Sequence, residues 1–356
     1  MLKNRRAKLE PFFERYGLDA ILFSNLLNVR YLCGFSGSEG ALLLTREAAW
    51  LLCDSRYTTQ AAQETSDTEI RQFFEKYEAI GTLLKEQALG RIGFEAAHVT
   101  VGAFKDLSGK IQEGSELVAI GAELDQIRSC KDTNEIEELA AIAGLASDAL
   151  LAIIPMIRPG VSESFIAREL EFEMRRRGAE GRAFDFIVAS GERGAMPHGR
   201  ASEKLIKAGE LVTVDYGAAL AGYYSDETVT LAVGQPGSRS REIYDIVKEA
   251  HDRAIAAVRP GIACRELDAV ARGYIQERGY GDYFGHGLGH GVGLEIHEKP
   301  VISPRSEAMA EEGMVFTIEP GIYIPGFGGV RIEDTVAVTA DGCRLLTQVS
   351  KKLMII

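Results

Sequence analysis

The sequence lacks several features that mark whole classes of proteins. Its 356 residues contain no uninterrupted apolar run of about 18, the length that a membrane-spanning helix needs. The first segment, MLKNRRAKLEPFFERYG, is polar and has no secretory signal. Lys and Arg number 40 against 52 Asp and Glu, and the net charge of −12 disfavours a nucleic-acid-binding role. We therefore expect a cytoplasmic protein that binds neither membranes nor nucleic acid.

Cysteine is scarce and forms no motif. The five cysteines are odd in number and scattered, and no CxxC motif occurs. This usage disfavours both a disulfide scaffold and a four-cysteine zinc site. Apolar residues are plentiful at 46%, which is enough for sizeable cores. At about 150 residues per domain, the length predicts roughly two domains.

The first third of the sequence predicts a small α/β domain at residues 1–125. Short apolar runs alternate there with helical patterns, as in a mixed sheet flanked by helices. The runs at 41–45 and 49–53 lie close together, as in a hairpin. Further strands are predicted at 19–23 and 91–95, and helices at 4–16, 56–64 and 76–89.

A second domain is predicted at residues 132–356. Thr133 and the residues after it can cap a long helix that runs to about Ile154. Two later motifs then occur twice. IRPGV at 157–161 recurs as VRPGI at 258–262, and VTVDYG at 212–217 recurs as FTIEPG at 316–321. We therefore predict two related half-domains, each with two helices and an antiparallel hairpin, which enclose a cleft.

Four carboxylates occupy duplicated positions in these half-domains. Asp215 and Glu319 fall on the first strand of each hairpin, and Asp226 and Glu333 on the return strand. Because side chains alternate along a strand, we expect all four to project into the shared cleft. Carboxylates packed together repel one another, and divalent cations remove that cost. A solvated strand end explains a single acid well, but it explains four acids in duplicated positions poorly.

Three of the six histidines fall in one glycine-rich segment, GHGLGHGVGLEIHE at 285–298. Its glycines disfavour a helix, so His286 and His290 do not form the HExxH geometry of a zinc protease. We expect an extended strand that side chains and substrate can approach closely. A phosphate-binding loop is the rival interpretation, but no GxxxxGK[ST] motif is present. His98 and His251 fit ordinary structural roles.

One imidazole and four carboxylates form an oxygen-rich set that suits two divalent ions sharing bridging acids. Manganese, cobalt, iron and zinc all fit such a set. Two neighbouring ions can bind a bridging hydroxide and polarise a carbonyl at the same time. The set therefore favours a hydrolase.

These motifs resemble those of the pita-bread-fold metallopeptidases, specifically the Xaa-Pro aminopeptidase and prolidase branch. The resemblance covers essentially the whole chain, including TIEPGIY, VRIEDTV, Ser36-Gly37 and Asp54-Ser-Arg-Tyr57. It implies an α+β fold, with a creatinase-like α/β domain before a pita-bread catalytic domain. Creatinase is disfavoured because it lacks the acidic metal set, and methionine aminopeptidases usually lack the first domain.

The resemblance also implies a role for each site residue. Asp215 would bind one ion, His290 and Glu319 the other, and Asp226 and Glu333 would bridge both. Glu319 would also move the proton of the attacking water. The remaining candidates are the catalytic residues His198 and His297, the pocket residue His286, and Tyr323 and Arg331, which would orient substrate or ligand acids or be purely structural.

The implied activity is hydrolysis of the Xaa-Pro bond at the N-terminus of short peptides by a metal-bridging hydroxide. Both an aminopeptidase and a dipeptidase fit, with two divalent ions per chain and manganese preferred. Two alternatives stay open: a hydrolase acting on a non-proline peptide or another C–N bond, and a non-catalytic peptide-binding relative. We expect a homodimer, in which the N-terminal domain narrows the cleft without contributing a metal ligand.

Overall fold

A computed structural model of the chain describes residues 2–356. The described residues divide into two compact units, one ending at Arg128 and the other beginning at Ser129. Each unit has a hydrophobic core of its own. The domain limits expected from the sequence, 1–125 and 132–356, stay a prediction.

The first unit is a mixed sheet flanked by helices. Its strands are β1 (Ala20–Phe23), β2 (Ala41–Leu44), β3 (Ala49–Cys53), β4 (Glu69–Gln72), β5 (Arg91–Glu95) and β6 (Glu116–Ile120). Within residues 2–128 these strands form one sheet in the order β4-β3-β2-β1-β5-β6. Its helices are α1 (Leu2–Ala7), α2 (Glu10–Tyr16), α3 (Leu26–Cys33), α4 (Thr58–Glu64), α5 (Lys76–Glu86) and α6 (Val101–Ser108), followed by a 3-10 helix at Ala122–Arg128.

The apolar pattern places most of these elements. The predicted hairpin is confirmed, since β2 and β3 are buried throughout and pair antiparallel. The single helix predicted at 4–16 is wrong, because the chain breaks it into α1 and α2. Pro11 cannot donate a backbone hydrogen bond, and its ring would clash with the carbonyl of Ala7 in a continuous helix.

The second unit contains longer helices and several small sheets. Its helices are α7 (Thr133–Ile153), α8 (Glu163–Arg176), α9 (Ser238–Ala257) and α10 (Cys264–Glu277), with 3-10 helices at Ile154–Met156, Gly191–Ala195 and Gly281–Tyr283. Its strands are β7 (Gly181–Arg182), β8 (Ile187–Ser190), β9 (Leu211–Tyr216), β10 (Ala218–Leu220), β11 (Tyr223–Tyr224), β12 (Glu227–Ala232), β13 (Gly289–Gly291), β14 (Glu298–Ile302), β15 (Val315–Ile318), β16 (Gly321–Ile324), β17 (Gly328–Arg331), β18 (Asp334–Val338) and β19 (Cys343–Leu345). The strand orders are β12-β9-β8, β14-β13-β15-β18-β19, β11-β10-β7 and β16-β17.

The internal duplication is visible in this unit. A pair of helices precedes the β9/β12 pair in the first half and the β15/β18 pair in the second, and both strand pairs are antiparallel. Loop contacts repeat as well: Gly160 N donates to Ile206 O at 2.9 Å, and Gly261 N donates to Ala310 O at 2.8 Å. The predicted pair of related half-domains is confirmed.

Helix α7 differs from its prediction at its first turn. Asp132, not Thr133, is the N-cap, because its side chain accepts from Glu135 N at 3.0 Å while the Glu135 carboxylate accepts from Asp132 N at 3.0 Å. By length and composition alone, this helix and the turn through Met156 could cross a membrane. Its buried face packs inside the unit, where the Ser147 hydroxyl donates to Glu227 at 2.6 Å.

Two expectations about the site strands are wrong in detail. Asp226 and Glu333 do not lie on the return strands but immediately before them, ahead of β12 and β18. The histidine segment is not one extended strand either, since only Gly289–Gly291 is a strand and the chain then turns until β14 begins at Glu298. Both half-domains therefore present their second acid from a strand start.

Candidate metal centre

The acid–histidine cluster, defined here as Asp215, Asp226, His290, Glu319 and Glu333, draws on both half-domains. Asp215 lies near the end of β9, opposite Thr228 of β12. Glu319 follows β15, and its backbone N donates to Leu288 O at 2.8 Å. The first half thus supplies two of the acids, and the second half supplies the other two and the histidine.

Glycines bring His290 close to the strand beside it. A Cβ on Gly289 would overlap the carbonyl oxygen of Thr317, so only glycine allows this approach. The backbone N of His290 donates to Thr317 Oγ1 at 3.1 Å, and this bond helps to fix the register of the two strands. Upstream, Arg272 on α10 donates to His286 O at 2.6 Å and fixes the start of the segment.

The ring of His290 has its Nε2 turned toward the carboxylates. Nε2 lies 3.5 Å from Glu319 Oε1 and 3.6 Å from Asp226 Oδ2. Its Nδ1 lies 3.1 Å from the carbonyl oxygen of Gly291, a contact that only a protonated Nδ1 can satisfy. In the neutral ring Nε2 therefore carries the lone pair, as a metal ligand requires.

Asp226, His290 and Glu333 come closest together within the cluster. One ligand atom from each lies within 4.8 Å of the others, a spacing that one ion can span. Asp215 is also near, because its charge contributes to the raised pKa values of Asp226, Glu319 and Glu333. The structure thus brings all five predicted ligands together, and their individual roles stay predictions.

The pKa values of the cluster acids show that burial and mutual repulsion disfavour their ionised forms. Burial, followed by the charges of Glu333, Asp215 and Glu319, raises the pKa of Asp226 well above its ordinary value. Burial and the same kind of repulsion raise the pKa of Glu333 well above its ordinary value. Burial also raises the pKa of Glu319 to about 8, and it lowers the pKa of His290 to about 4. The cluster thus carries more carboxylates than its surroundings can keep ionised, and it presents a neutral imidazole.

The residues present fit a divalent cation. Asp215 Oδ1 is buried, and no hydrogen-bond donor among residues 2–356 reaches it. A buried carboxylate oxygen without a partner is costly, and a cation would supply the missing partner. Carboxylate oxygens with one imidazole nitrogen are suitable ligands for manganese, iron, cobalt or zinc.

A buried hydrogen-bonded chain connects the cluster to the predicted substrate residues. Arg331 donates to Asp215 Oδ2 at 2.5 Å and to the hydroxyl of Tyr323 at 2.9 Å. The Tyr323 hydroxyl lies 2.9 Å from Nε2 of His286. Arg331 also donates to Pro197 O at 3.1 Å, next to His198. Through these contacts Arg331 orients Asp215 and holds the loop that contains Pro197 and His198.

The two predicted catalytic histidines lie at the edge of the cluster. The ring centroid of His297 is 4.2 Å from that of His290, in an edge-to-face arrangement. His198 is exposed in the loop after the 3-10 helix Gly191–Ala195. His198 is nonetheless near His286 and His297, because its electrostatic effect adds to the burial that lowers the pKa values of those two histidines. Their catalytic roles stay predictions.

Sequence reasoning missed the hydroxyls that hold the acids. Thr228 Oγ1 donates to Glu333 Oε2 at 2.6 Å and lies 3.2 Å from Arg331 Nε. Thr317 Oγ1 lies 3.4 Å from Glu319 Oε1. Strand alternation offered one signal, because Thr317 stands two residues before Glu319 and so shares its face.

Buried ion pairs were missed as well. Lys131 donates to Glu298 at 2.6 Å, with both side chains almost fully buried, and Glu298 follows His297 directly. Glu163, at the start of α8, accepts from Ser190 Oγ at 2.8 Å and from Arg193 at 2.7 Å. Such partners lie far apart in the sequence, and no local pattern joins them.

Comparison with known families gives two matches that together cover nearly the whole chain. Residues 137–340 match Metallopeptidase family M24. Residues 5–130 match the Creatinase/Prolidase N-terminal domain. The first match contains the whole acid–histidine cluster, and the second falls on the first structural unit.

Individual relatives are similar over their full length. A curated Xaa-Pro dipeptidase from Pyrococcus furiosus is 41% identical, with 99% of this chain and 100% of the relative covered. The solved structure of an Xaa-Pro dipeptidase from Bacillus anthracis is 42% identical, with a TM-score of 0.97 and all of both chains covered. That of an X-Pro aminopeptidase from Thermotoga maritima is 38% identical, with a TM-score of 0.91 and coverage of 96% and 99%. These likenesses confirm the predicted α+β fold of two domains.

Proposed function

Because the chain belongs to metallopeptidase family M24, it is a metallopeptidase, and we propose that it hydrolyses the Xaa-Pro bond at the N-terminus of short peptides. The family confirms the resemblance found in the sequence. The substrate class is supported by relatives at about 40% identity over the full chain that are named Xaa-Pro dipeptidase or X-Pro aminopeptidase.

The observation that carries this proposal is the convergence of Asp226, His290 and Glu333 within 4.8 Å, beside Glu319 and Asp215. We propose that these five residues hold two divalent ions, with manganese preferred. Such ions, when bound, lower the pKa of water and polarise a carbonyl oxygen. Asp226 and Glu333 would hold both ions, Asp215 one of them, and His290 and Glu319 the other, as the family resemblance implies.

Glu319 is the group in the cluster best suited to moving a proton. Its pKa of about 8 in the metal-free protein shows that its surroundings favour the protonated acid. Glu319 Oε1 would accept a proton as water attacks the scissile carbonyl carbon. It would return that proton to the proline nitrogen as the C–N bond breaks. An amide nitrogen is a poor leaving group until it is protonated, so this proton lets the proline nitrogen leave as an amine.

His297 and His198 would stabilise the tetrahedral oxyanion. A donor placed at such an oxygen typically contributes a factor of about 10²–10³ in rate. His297 sits against the ring of His290, and His198 approaches from the loop that Arg331 anchors through Pro197 O. The two histidines would therefore approach the oxyanion from different elements.

His286 and Tyr323 would line the pocket for the residue after the cut. Their contact at 2.9 Å puts a hydroxyl and an imidazole edge beside the acid–histidine cluster. Arg331 is 3% exposed, and its guanidinium donates to Thr228, Pro197, Tyr323 and Asp215. Its contribution to substrate binding is therefore to keep Tyr323 in place.

The test is hydrolysis by metal-free protein reconstituted in parallel with manganese, cobalt, iron or zinc. Substrates would be Xaa-Pro dipeptides, Xaa-Pro-Yaa tripeptides, and matched peptides with alanine in place of proline. Metal-dependent cleavage that requires proline supports the proposal. Equal cleavage of the alanine peptides would favour a peptidase of different specificity, and cleavage of none would overturn the proposal.

The same preparations test the remaining expectations. We propose a homodimer and a cytoplasmic location. Light scattering of the purified protein gives its molar mass, and cell fractionation gives its compartment. A monomer in solution would contradict the first of these expectations, and recovery from the membrane fraction would contradict the second.

A further inference from the structure

The last part of the second unit connects the two half-domains. This return segment, residues 343–356, begins as β19 and pairs with β18, where Arg344 lies opposite Ala337. It then crosses to the first half, where Ala232 N donates to Met354 O at 2.9 Å. The same chain segment is therefore bound to the sheets that carry Glu333 and Asp226.

Lys351 lies in the middle of this crossing and is buried. Its Nζ is 2.5 Å from Glu227 Oε1 and 3.3 Å from Asp334 Oδ1. Burial alone would lower the pKa of Lys351, but the two carboxylates outweigh it and leave the pKa above its ordinary value. The side chain is thus a cation shared by two buried acids.

The two acids are the sequence neighbours of the proposed bridging ligands. Glu227 follows Asp226, and Asp334 follows Glu333. Consecutive side chains near a strand point to opposite faces. The side chains of Glu227 and Asp334 therefore point toward Lys351, whereas those of Asp226 and Glu333 point toward the acid–histidine cluster. Lys351 is therefore one residue away from a bridging ligand on each side.

Other contacts keep the two acids in place. Glu227 accepts from the hydroxyls of Tyr216 and Ser147, both at 2.6 Å. Asp334 accepts from the Thr347 hydroxyl at 2.5 Å, and the imidazole of His251 lies 3.2 Å away. With both acids fixed, Lys351 adds a charged link between the starts of β12 and β18 to the hydrogen bonds from Glu333 N to Thr228 O and from Thr335 Oγ1 to Asp226 O.

We infer that Lys351 is a positioning residue that fixes the separation of Asp226 and Glu333 across the two half-domains. The inference rests on the proposal that these two acids hold divalent ions. Without the shared cation, Glu227 and Asp334 repel each other, and the strand starts that carry the ligands move apart. Residues outside the coordination sphere that orient the metal ligands typically contribute 10- to 100-fold to metal affinity.

The test compares Lys351→Met with Lys352→Met, which removes an exposed lysine from the next position. Manganese would be titrated by calorimetry into metal-free protein, with circular dichroism to confirm that each variant is folded. We expect Lys351→Met to weaken manganese binding roughly 10- to 100-fold and Lys352→Met to leave it unchanged. Unaltered affinity in folded Lys351→Met would overturn the inference.

A second variant covers the case in which Lys351→Met does not fold. Combining Lys351→Met with Glu227→Gln and Asp334→Asn removes all three charges with little change in volume, so no buried charge is left without a partner. We expect this variant to fold and to bind manganese more weakly than the wild type, because the attraction of both strand starts to one shared cation is then lost as well. Wild-type affinity in the triple variant would overturn the inference. Failure of the wild-type protein to bind manganese, cobalt, iron or zinc would instead overturn the proposed function.

Discussion

Residues outside the acid–histidine cluster orient its side chains through hydrogen bonds to the atoms that point away from the other ligands. The carbonyl of Gly291 fixes the tautomer of His290, Arg331 takes one oxygen of Asp215, and Thr228 takes one oxygen of Glu333. The remaining nitrogen and oxygens face one another. Substitutions at this scale should therefore separate residues that hold metal from residues that act on the substrate.

Asp226 and His297 provide that separation. Asp226→Asn removes an anionic oxygen from the place where both half-domains meet, so metal content and hydrolysis should be lost together. His297→Ala should keep the metal but lower kcat by about 10²–10³, the usual cost of one oxyanion donor. Metal analysis and steady-state kinetics on both variants measure this. Equal metal loss in both variants, or full activity in either, would contradict the assigned roles.

The raised pKa of Glu319 predicts how the metal-free protein responds to pH. The folded state holds the Glu319 proton up to a pKa of about 8, whereas the ordinary value is 4.5. The stability from this group is therefore fully present below pH 4.5 and is lost as the pH rises through 8. Glu319→Gln, which keeps the neutral form, should raise the melting temperature of metal-free protein at pH 8.

The melting temperatures of wild type and Glu319→Gln should converge as the pH falls toward 4.5. A difference of 1 kcal/mol corresponds to about 2–4 °C for a unit of this size. Thermal melts across the pH range, with chelator present throughout, measure the gap. A gap that is constant with pH would show that Glu319 is not the titrating group.

At this scale the sequence predicted the residues that carry charge or a lone pair, and its family resemblance also indicated Arg331, but the threonine hydroxyls that hold the acids were missed. Asp215 and Glu319 recur in duplicated motifs, and His290 stands among glycines, so each had a local signal. Thr228 had none, because its contacts with Arg331 and Glu333 span 103 and 105 positions and threonines are common in any strand. Long-range partners of this kind become visible only once the strands are paired.

Several of the functional acids lie at the ends of helices and strands. Asp226 and Glu333 stand just before strands, Glu319 just after one, and Glu163 begins α8. The duplicated motifs located all of these regions, but element limits depend on which backbone groups pair across the sheet. For that reason Glu333 lies before the predicted return strand and not on it, and its backbone N donates to Thr228 O.

Glu163 connects α8 to the loop that carries His198. Its two carboxylate oxygens accept from Ser190 Oγ, Arg193 and Ser202 Oγ at 2.7–2.8 Å, so they bind both sides of that loop. Glu163→Gln should displace His198 and lower kcat about 10- to 100-fold, since a shift of about 1 Å can cost 10² in rate. Metal content should stay the same.

Glu169→Gln on the same helix is the matched control and should leave both kcat and metal content unchanged. The comparison of kcat with metal content distinguishes a displaced loop from a damaged cluster. Loss of metal in Glu163→Gln would place its effect in the cluster itself, and wild-type kcat would show that the loop needs no such anchor.

At the scale of the whole molecule, the acid–histidine cluster is contained within one unit. All five of its residues follow Ser129, and that unit has its own apolar core. A chain that begins at Ser129 should therefore bind the same number of metal ions as the full chain. We expect it to cleave a different range of peptide lengths, as would follow if residues 2–128 narrow the cleft.

Metal analysis and a peptide ladder of increasing length, applied to both chains, measure these outcomes. Loss of metal in the shorter chain would show that the first unit supports the cluster. Identical rates on every peptide would remove any role for the first unit in selecting substrates.

The two-domain organisation was predictable at this scale because the short alternating strands and helices of residues 1–125 give way to a long helix after Thr133. The duplicated half-domains were predictable because two motifs recur at almost the same offset. The ion pairs that join the half-domains were not, since Lys351 and Glu227 are 124 residues apart and either alone resembles a surface charge.

The place of Lys351 in the chain has a consequence for biosynthesis. A ribosome adds about 5–20 residues per second from the N-terminus, so Asp226 and Glu333 are made before Lys351 exists. Until then Glu227 and Asp334 have no cation between them, and burying them together is unfavourable. We therefore expect Asp226 and Glu333 to reach their metal-binding separation only after the return segment has been translated, so that tight metal binding follows the synthesis of Lys351 in the nascent protein.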